Sequence, residues 1–219
     1  MSPTRLPPLF ACAMTVALTG CLGSSRAARF YTLAPLQVSD GPSSTARDTT
    51  LAIGPIEIPD SIDRQQIVTR TGANELVVAE FDRWGSPLDT QIASSLVATL
   101  GDRLSSQQIA VAPWRSAILS GGTTYRAAVS ISRFDGVPGQ SVVLQGRWEL
   151  IAQSGAKQKS LGVREATVTE KIDGKEYDAL VAAMQRALVR FGQQMADTVA
   201  STTAMANSPD PRSRVSGAE

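Results

Sequence analysis

Residues 51–88 constrain the fold of this chain more than any other stretch. They contain three short apolar runs rich in β-branched residues, at 51–58, 66–70 and 76–81, with turn-forming residues between them. The tetrapeptide Thr71-Gly72-Ala73-Asn74 tolerates positive φ, so the second and third runs are predicted to pair as an antiparallel hairpin. Apolar residues of both parities at 76–79 predict a strand covered on two faces, and such a strand needs helices to cover it.

An amphipathic helix is predicted directly after these strands. Ser86 can serve as the N-cap, Pro87 fits the first helical position, and Asp89 lies in the first turn, where a carboxylate interacts favourably with free N–H groups. The apolar residues that share one face of this helix are Ile92, Leu96, Val97, Leu100 and Leu104. The helix is therefore expected to pack on the sheet.

The remaining strands are predicted from alternation and composition, at 30–33, 108–114, 124–134, 141–153 and 160–172. In the strand at 141–153 one parity is apolar and the other polar, as expected when one face is buried and the other is wet. Turn-rich connections at 135–139 and 154–157 predict an antiparallel meander. The solvent faces of these long strands form a candidate binding surface.

A second long amphipathic helix follows, and Asp173 and Glu176 are predicted to cap its start. Its apolar stripe, interpreted as core, comprises Tyr177, Leu180, Val181, Met184, Leu188, Phe191, Met195 and Val199. The whole pattern predicts a single mixed α+β domain, in which a twisted mixed or antiparallel sheet is packed by two long amphipathic helices. That domain is predicted to span 30–203, with a disordered tail at 204–219.

The first twenty residues are predicted to be a lipoprotein signal peptide. Arg5 precedes an apolar stretch at 6–18, and Leu18-Thr19-Gly20-Cys21 fits a lipoprotein-type cleavage site. Cleavage would leave Cys21 as an acylated first residue, followed by a short tether over 21–29, and several acyl chains would anchor the domain to a membrane. Leu22 stands where an aspartate would retain such a protein at the inner membrane, which favours the periplasmic face of the outer membrane. The alternative is an ordinary secretory signal in which Cys21 is incidental.

Charge and residue types exclude several classes of function. The chain has 21 Lys+Arg and 20 Asp+Glu, and removal of 1–20 takes away only Arg5, so the mature net charge is zero and no general attraction to nucleic acid or anionic lipid follows. The chain has no histidine and no nucleotide-binding, nucleophile-elbow or Cys/His metal motif. We therefore predict a protein that is not an enzyme and has no metal and no cofactor beyond the covalent lipid on Cys21.

Two pairs of carboxylates are the remaining candidates for acid/base chemistry or Ca²⁺ binding. Glu80 and Asp82 share a strand face by parity and are interpreted as surface ion-pairing groups beside Arg83. Asp60 and Asp63 flank a turn and are interpreted as bonding to local backbone N–H groups.

Two short motifs carry a resemblance to a known family: Asp63-Arg64-Gln65-Gln66-Ile67-Val68 and Glu80-Phe81-Asp82-Arg83-Trp84. Together with the lipoprotein signal, they resemble the ABC-type transport auxiliary lipoproteins, which include the paraquat-inducible protein C lipoproteins of intermembrane transport systems. The resemblance implies a mammalian-cell-entry (MCE) domain partner linked to an inner-membrane transporter, lipid as cargo, and a homo-oligomeric ring that docks on the MCE channel.

The segment Phe81, Asp82, Arg83 and Trp84 is a candidate partner contact, because aromatic residues and arginine are enriched in interface hot spots. The alternative is structural, since an aromatic residue just before a helix often closes the edge of a sheet.

Two other functions stay open at this point. One is an envelope lipoprotein that binds and regulates a cell-wall synthase. The other is a hydrolase that uses Ser and carboxylates.

Overall fold

The structure is a computed structural model that describes residues 26–33, 49–115, 124–155 and 157–206. These residues form one mixed α+β domain with two sheets and two long helices, which confirms the predicted fold class. The strands are β1 (Arg29–Tyr31), β2 (Thr49–Glu57), β3 (Gln66–Arg70), β4 (Leu76–Trp84), β5 (Ile109–Pro113), β6 (Thr124–Val137), β7 (Ser141–Ser154) and β8 (Lys157–Lys171). The helices are α1 (Leu88–Leu104) and α2 (Tyr177–Ala206), and a short 3-10 turn at Ser105–Gln107 follows α1.

The larger sheet has the strand order β5-β2-β6-β7-β8. β2 runs parallel to both of its neighbours, β5 and β6, whereas β6, β7 and β8 form an antiparallel meander. The predicted meander is therefore confirmed, but its first turn is shorter than predicted. Asp135 and Gly136 still belong to β6, and only residues 138–140 connect it to β7.

The smaller sheet has the order β1-β4-β3, so the strands expected in one sheet divide between two. β3 and β4 pair antiparallel, as predicted, and β1 lies parallel to β4. The two sheets separate along β6. The pairing of β2 with β6 ends at Glu57, opposite Ser130, while β6 itself continues to Val137. Arg70 at the end of β3 bonds to Asp135 near the end of β6, which ties the two sheets together.

The prediction that the start of β4 is covered on both faces is wrong. Leu76, Val77 and Val78 are 36%, 38% and 43% exposed. The two helices pack mainly on the larger sheet, and neither makes extensive contact with β3 or β4. The β3–β4 hairpin therefore projects beyond the helices.

α1 begins one residue later than predicted. Pro87, not Ser86, occupies the N-cap position, and no side chain caps the helix there. Asp89 does lie in the first turn, where its Oδ1 accepts a hydrogen bond from the backbone N–H of Thr90 at 2.7 Å. The predicted apolar face is buried at Ile92, Leu96, Leu100 and Leu104 and partly buried at Val97.

The hydrophobic core lies mainly between the two helices and one face of the larger sheet, and it continues to buried residues of the smaller sheet such as Val68, Ala79 and Trp84. The apolar stripe of α2 is buried from Leu180 to Val199, as predicted, and it packs on β7 and β8. The rings of Phe191 and Trp148 meet edge to face, with centroids 5.2 Å apart and an angle of 83°. α1 reaches α2 at Gly192, where a Cβ atom would lie 3.0 Å from Cγ2 of Thr99, so a larger residue there would require Thr99 to move by a few tenths of an ångström.

Several sequence predictions lie outside the described residues. These are the signal peptide at 1–20, the lipidation site Cys21, most of the loop at 37–50 and nearly all of the connection at 115–122. α2 ends at Ala206, three residues beyond the predicted domain boundary, and the rest of the predicted tail also lies outside.

The core packing predicts a large effect of shortening Phe191, which is fully buried. Phe191→Ala is expected to lower the free energy of unfolding by about 3–5 kcal/mol, because it removes buried apolar surface and leaves a cavity against Trp148. Met205→Ala is the control on the same helix, since Met205 is 76% exposed. Urea unfolding followed by circular dichroism measures both, and equal midpoints for the two variants would contradict this account of the core.

Candidate partner-binding site

The segment Phe81–Trp84 lies at the end of β4, where a bulge changes which side chains face inward. Gln66 pairs with Arg83 and Val68 with Val78, so two steps along β3 correspond to five steps along β4. The inward parity consequently changes within β4. Ala79, Asp82 and Trp84 are buried, whereas Glu80 is exposed, so the prediction that Glu80 and Asp82 share a face is wrong.

Asp82 is a structural clamp for β1. Asp82 is 5% exposed, and its carboxylate accepts hydrogen bonds from Nε of Arg29 and from the hydroxyl of Tyr31, both at 2.8 Å. Burial and the bond to Asp82 together raise the pKa of Tyr31 to about 12, so the phenol remains a donor at any physiological pH. β1 is only three residues long, and these bonds fix it to the neighbouring strand.

The other three residues of the segment differ in accessibility. Trp84 is 4% exposed and belongs to the hydrophobic core, and its backbone N–H donates to the carbonyl of Gln65 at 2.7 Å. Phe81 and Arg83 are half-buried. Within the described residues, Nε of Arg83 is buried and has no hydrogen-bond partner. Phe81 and Arg83 are thus the two residues of the predicted contact that present surface to a partner.

The larger sheet has an open face, defined here as the face turned away from the helices. Side chains on this face include Gln145 and Arg147 of β7 and Val163, Glu165 and Thr167 of β8, all exposed. Val163 is 51% exposed. A shallow groove crosses the open face and is lined by residues of four strands, among them Pro55, Glu57, Ser130, Arg147 and Glu149. The open face therefore combines charged groups of both signs with exposed apolar surface.

Trp114 and Arg126 form a second feature of the open face. The guanidinium carbon of Arg126 lies 6.0 Å from the centroid of the Trp114 ring, within the range of a cation–π contact. Trp114 is 43% exposed and lies against Gly54, where a Cβ atom would come within 2.9 Å of its Cδ1. Nε of Arg126 is buried and has no hydrogen-bond partner among the described residues.

Sequence reasoning did not identify Trp114 and Arg126. Arg126 lies between the buried residues Tyr125 and Ala127. A polar residue between two apolar ones in a strand indicates the opposite face of the sheet, and this was the available signal. The approach to Trp114 depends on β2, which pairs with β5 on one side and with β6 on the other. No local pattern announces that arrangement.

No group of three Cys, Asp or Glu residues in the described part of the chain is arranged to hold a metal ion. Asp60 and Asp63 lie at a turn in which the N–H groups of Ile62 and Asp63 both donate to the carbonyl of Pro59. Among the described helices, none has the length and apolar character needed to cross a membrane.

A match to a known protein family covers most of the domain. Residues 31–196 match the family described as the ABC-type transport auxiliary lipoprotein component. The chain is also similar to the intermembrane transport lipoproteins PqiC of Escherichia coli (strain K12) and Shigella flexneri. Each is 26% identical over 133 residues, which cover 61% of this chain and 68% of the relative.

Solved structures share the fold. Protein XCC0632 from Xanthomonas campestris superposes with a TM-score of 0.62 at 22% identity, covering 82% of this chain and 98% of its own. An uncharacterized protein gives a TM-score of 0.61 at 22% identity, over 79% of this chain and 99% of its own. The family match spans both sheets and most of α2. The chain therefore belongs to the ABC-type transport auxiliary lipoprotein family.

Proposed function

We propose that this protein is the lipid-anchored auxiliary subunit of an intermembrane lipid transport system. In this role it binds an MCE-domain protein that is linked to an inner-membrane transporter, and it does so at the periplasmic face of the outer membrane. The subunit binds and positions its partner and performs no catalysis, and its only added group is the lipid on Cys21. Membership of a family of transport auxiliary lipoproteins supports this role, as does the similarity to PqiC.

The observation that carries the proposal is the open face, with the exposed Trp114 beside the half-buried Arg126. Tryptophan and arginine are the residue types most enriched in binding hot spots, and a cation–π contact holds the two together before any partner arrives. The helices cover only the other face of the larger sheet, so the open face is accessible across four strands. A flat, accessible sheet face suits a protein partner better than a small molecule, which needs a concave pocket.

The anchor is the second part of the proposal. Cys21 precedes Arg29 by eight residues, so a fully extended tether holds β1 within about 28 Å of the acylated residue. The bonds from Arg29 and Tyr31 to Asp82 connect this tether to the body of the domain. The domain is thus held beside the membrane, where several copies could assemble as the ring that the family resemblance implies.

The first test is in-cell crosslinking of the acylated protein, followed by purification and mass spectrometry. We expect recovery of an MCE protein, and Trp114→Ala is expected to reduce that recovery about tenfold or more, as truncation of a hot-spot residue does. Met205→Ala is the control, because Met205 is also an exposed apolar residue, at 76% against 43% for Trp114, but lies at the end of α2.

The outcomes of this experiment separate the open functions. Equal recovery with Trp114→Ala and Met205→Ala would place the contact elsewhere and direct attention to Phe81 and Arg83. Recovery of a cell-wall synthase without an MCE protein would replace the transport role by the regulatory one. The hydrolase alternative needs a separate activity assay. Loss of a hydrolytic activity on changing a single Ser or acidic residue, with the fold intact, would be needed to support it.

The anchor has a test of its own. Cys21→Ala is expected to move the protein from the membrane fraction to the soluble fraction and to remove the acyl mass, because no other residue is predicted to carry lipid. Fractionation and intact-mass spectrometry measure the two effects. An unchanged membrane fraction together with an unchanged mass for the mature chain would contradict acylation of Cys21.

A further inference from the structure

The tip of the β3–β4 hairpin, residues 71–78, exposes a short apolar surface that the fold does not use. Leu76, Val77 and Val78 are three consecutive exposed apolar residues at the start of β4. Neighbouring residues of a strand point to opposite faces, so the hairpin tip is apolar on both sides. A surface of this shape resembles a wedge more than a flat docking face.

Side-chain hydrogen bonds tie the hairpin tip to the rest of the domain. Arg70 donates from Nε and Nη2 to the two oxygens of Asp135, both at 3.1 Å, and from Nη1 to the carbonyl of Ala73 at 2.6 Å. Arg133 also bonds to Asp135, at 3.0 Å. The hydroxyl of Thr71 donates to the carboxylate of Glu75, which closes the loop. These bonds connect the tip to the end of β6.

The charges near the hairpin tip balance one another. Arg70 and Arg133 provide two positive charges, and Asp135 and Glu75 provide two negative ones. A strongly charged partner would gain nothing at this position. The tip is suited to an apolar environment that tolerates a polar rim, as the boundary between lipid headgroups and acyl chains does.

The direction of β1 brings the anchor to the same end of the molecule. β1 is parallel to β4, with Arg29 opposite Asp82, so the chain that precedes Arg29 leaves toward the beginning of β4. Leu76 lies six residues before Asp82, a distance of about 20 Å along a strand. Cys21 lies eight residues before Arg29, and an extended chain of that length spans up to about 28 Å, so Cys21 can reach the level of the hairpin tip.

We propose that the hairpin tip inserts Leu76, Val77 and Val78 into the headgroup region of the membrane that holds the acyl chains of Cys21. The tip is then a second membrane contact, and two contacts fix the orientation of the domain where a single flexible tether cannot. This inference rests on the proposed acylation of Cys21, but it needs neither the MCE partner nor a particular cargo.

The test uses the acylated full-length mature protein in vesicles of phosphatidylethanolamine and phosphatidylglycerol. Its only cysteine is the acylated one, so a new cysteine can be labelled alone with the environment-sensitive dye NBD. With Val77→Cys, we expect a blue-shifted emission that nitroxide-labelled lipids quench. The control is Val163→Cys, at an exposed residue on the open face. With this variant we expect the emission that the dye shows in water.

The outcomes distinguish the inference from the function on which it rests. Acyl mass on Cys21 with the same aqueous emission at both positions would overturn the contact of the hairpin tip and leave the anchor intact. Absence of acyl mass would overturn the anchor and, with it, this inference. Equal blue shifts at both positions would mean that the domain lies on the membrane without a preferred tip contact, which also overturns it.

A second variant removes the apolar groups without weakening the strand. Leu76→Thr, Val77→Thr and Val78→Thr together place β-branched polar residues at the tip, and β-branched residues favour strands. An NBD label at Asn74→Cys in the loop is expected to lose its blue shift in this triple variant. In the control background Val163→Thr, the shift at position 74 is expected to persist, and loss of it in both backgrounds would contradict the proposal.

Discussion

The packing of α2 on the antiparallel meander is the interaction on which the rest of the structure depends. The helix buries its apolar stripe against β7 and β8, and the edge-to-face contact of Phe191 with Trp148 lies at its centre. Gly146 makes room for this contact, because a Cβ atom there would lie 3.2 Å from Cζ of Phe191. With both helices on one face of the larger sheet, the other face stays open to solvent.

This one-sided packing separates the surfaces that an anchored binding subunit needs. The open face carries Trp114 and Arg126, and the hairpin tip carries the apolar residues of β4. The two surfaces belong to different sheets, joined through the ion pair of Arg70 with Asp135. In the function that we propose, one surface binds a protein while the other meets the membrane, and neither task occupies the residues of the other.

The sequence predicted the long elements well and the short ones less well, for physical reasons. The strand Ser141–Ser154 and the helix Tyr177–Ala206 each repeat one period over many residues, and such a pattern has a single interpretation. The apolar run at the start of β4 is exposed and not buried as predicted, because an apolar sequence does not show whether another element of the same chain covers it. The burial of Asp82 follows from a bulge, which reverses the parity that the sequence alone suggests.

The candidate site was the least predictable part. Phe81 to Trp84 was recognised as a distinct motif, but the structure places Trp84 in the core and Asp82 against β1. Trp114 follows β5 and Arg126 lies in β6, and the two residues meet because β2 is the single strand between β5 and β6 in the sheet. Contacts of that kind depend on strand order, which short-range patterns do not contain.

The clamp at Asp82 also decides how the domain bears mechanical load. In an anchored molecule, tension from the membrane enters through the tether and is directed along β1, parallel to β4. A pull along a strand loads its hydrogen bonds together in shear, whereas a pull across the strand would break them one at a time. The bonds of Arg29 and Tyr31 to Asp82 share that load. The connection of the tether to the domain therefore depends on these side-chain bonds as well as on the three residues of β1.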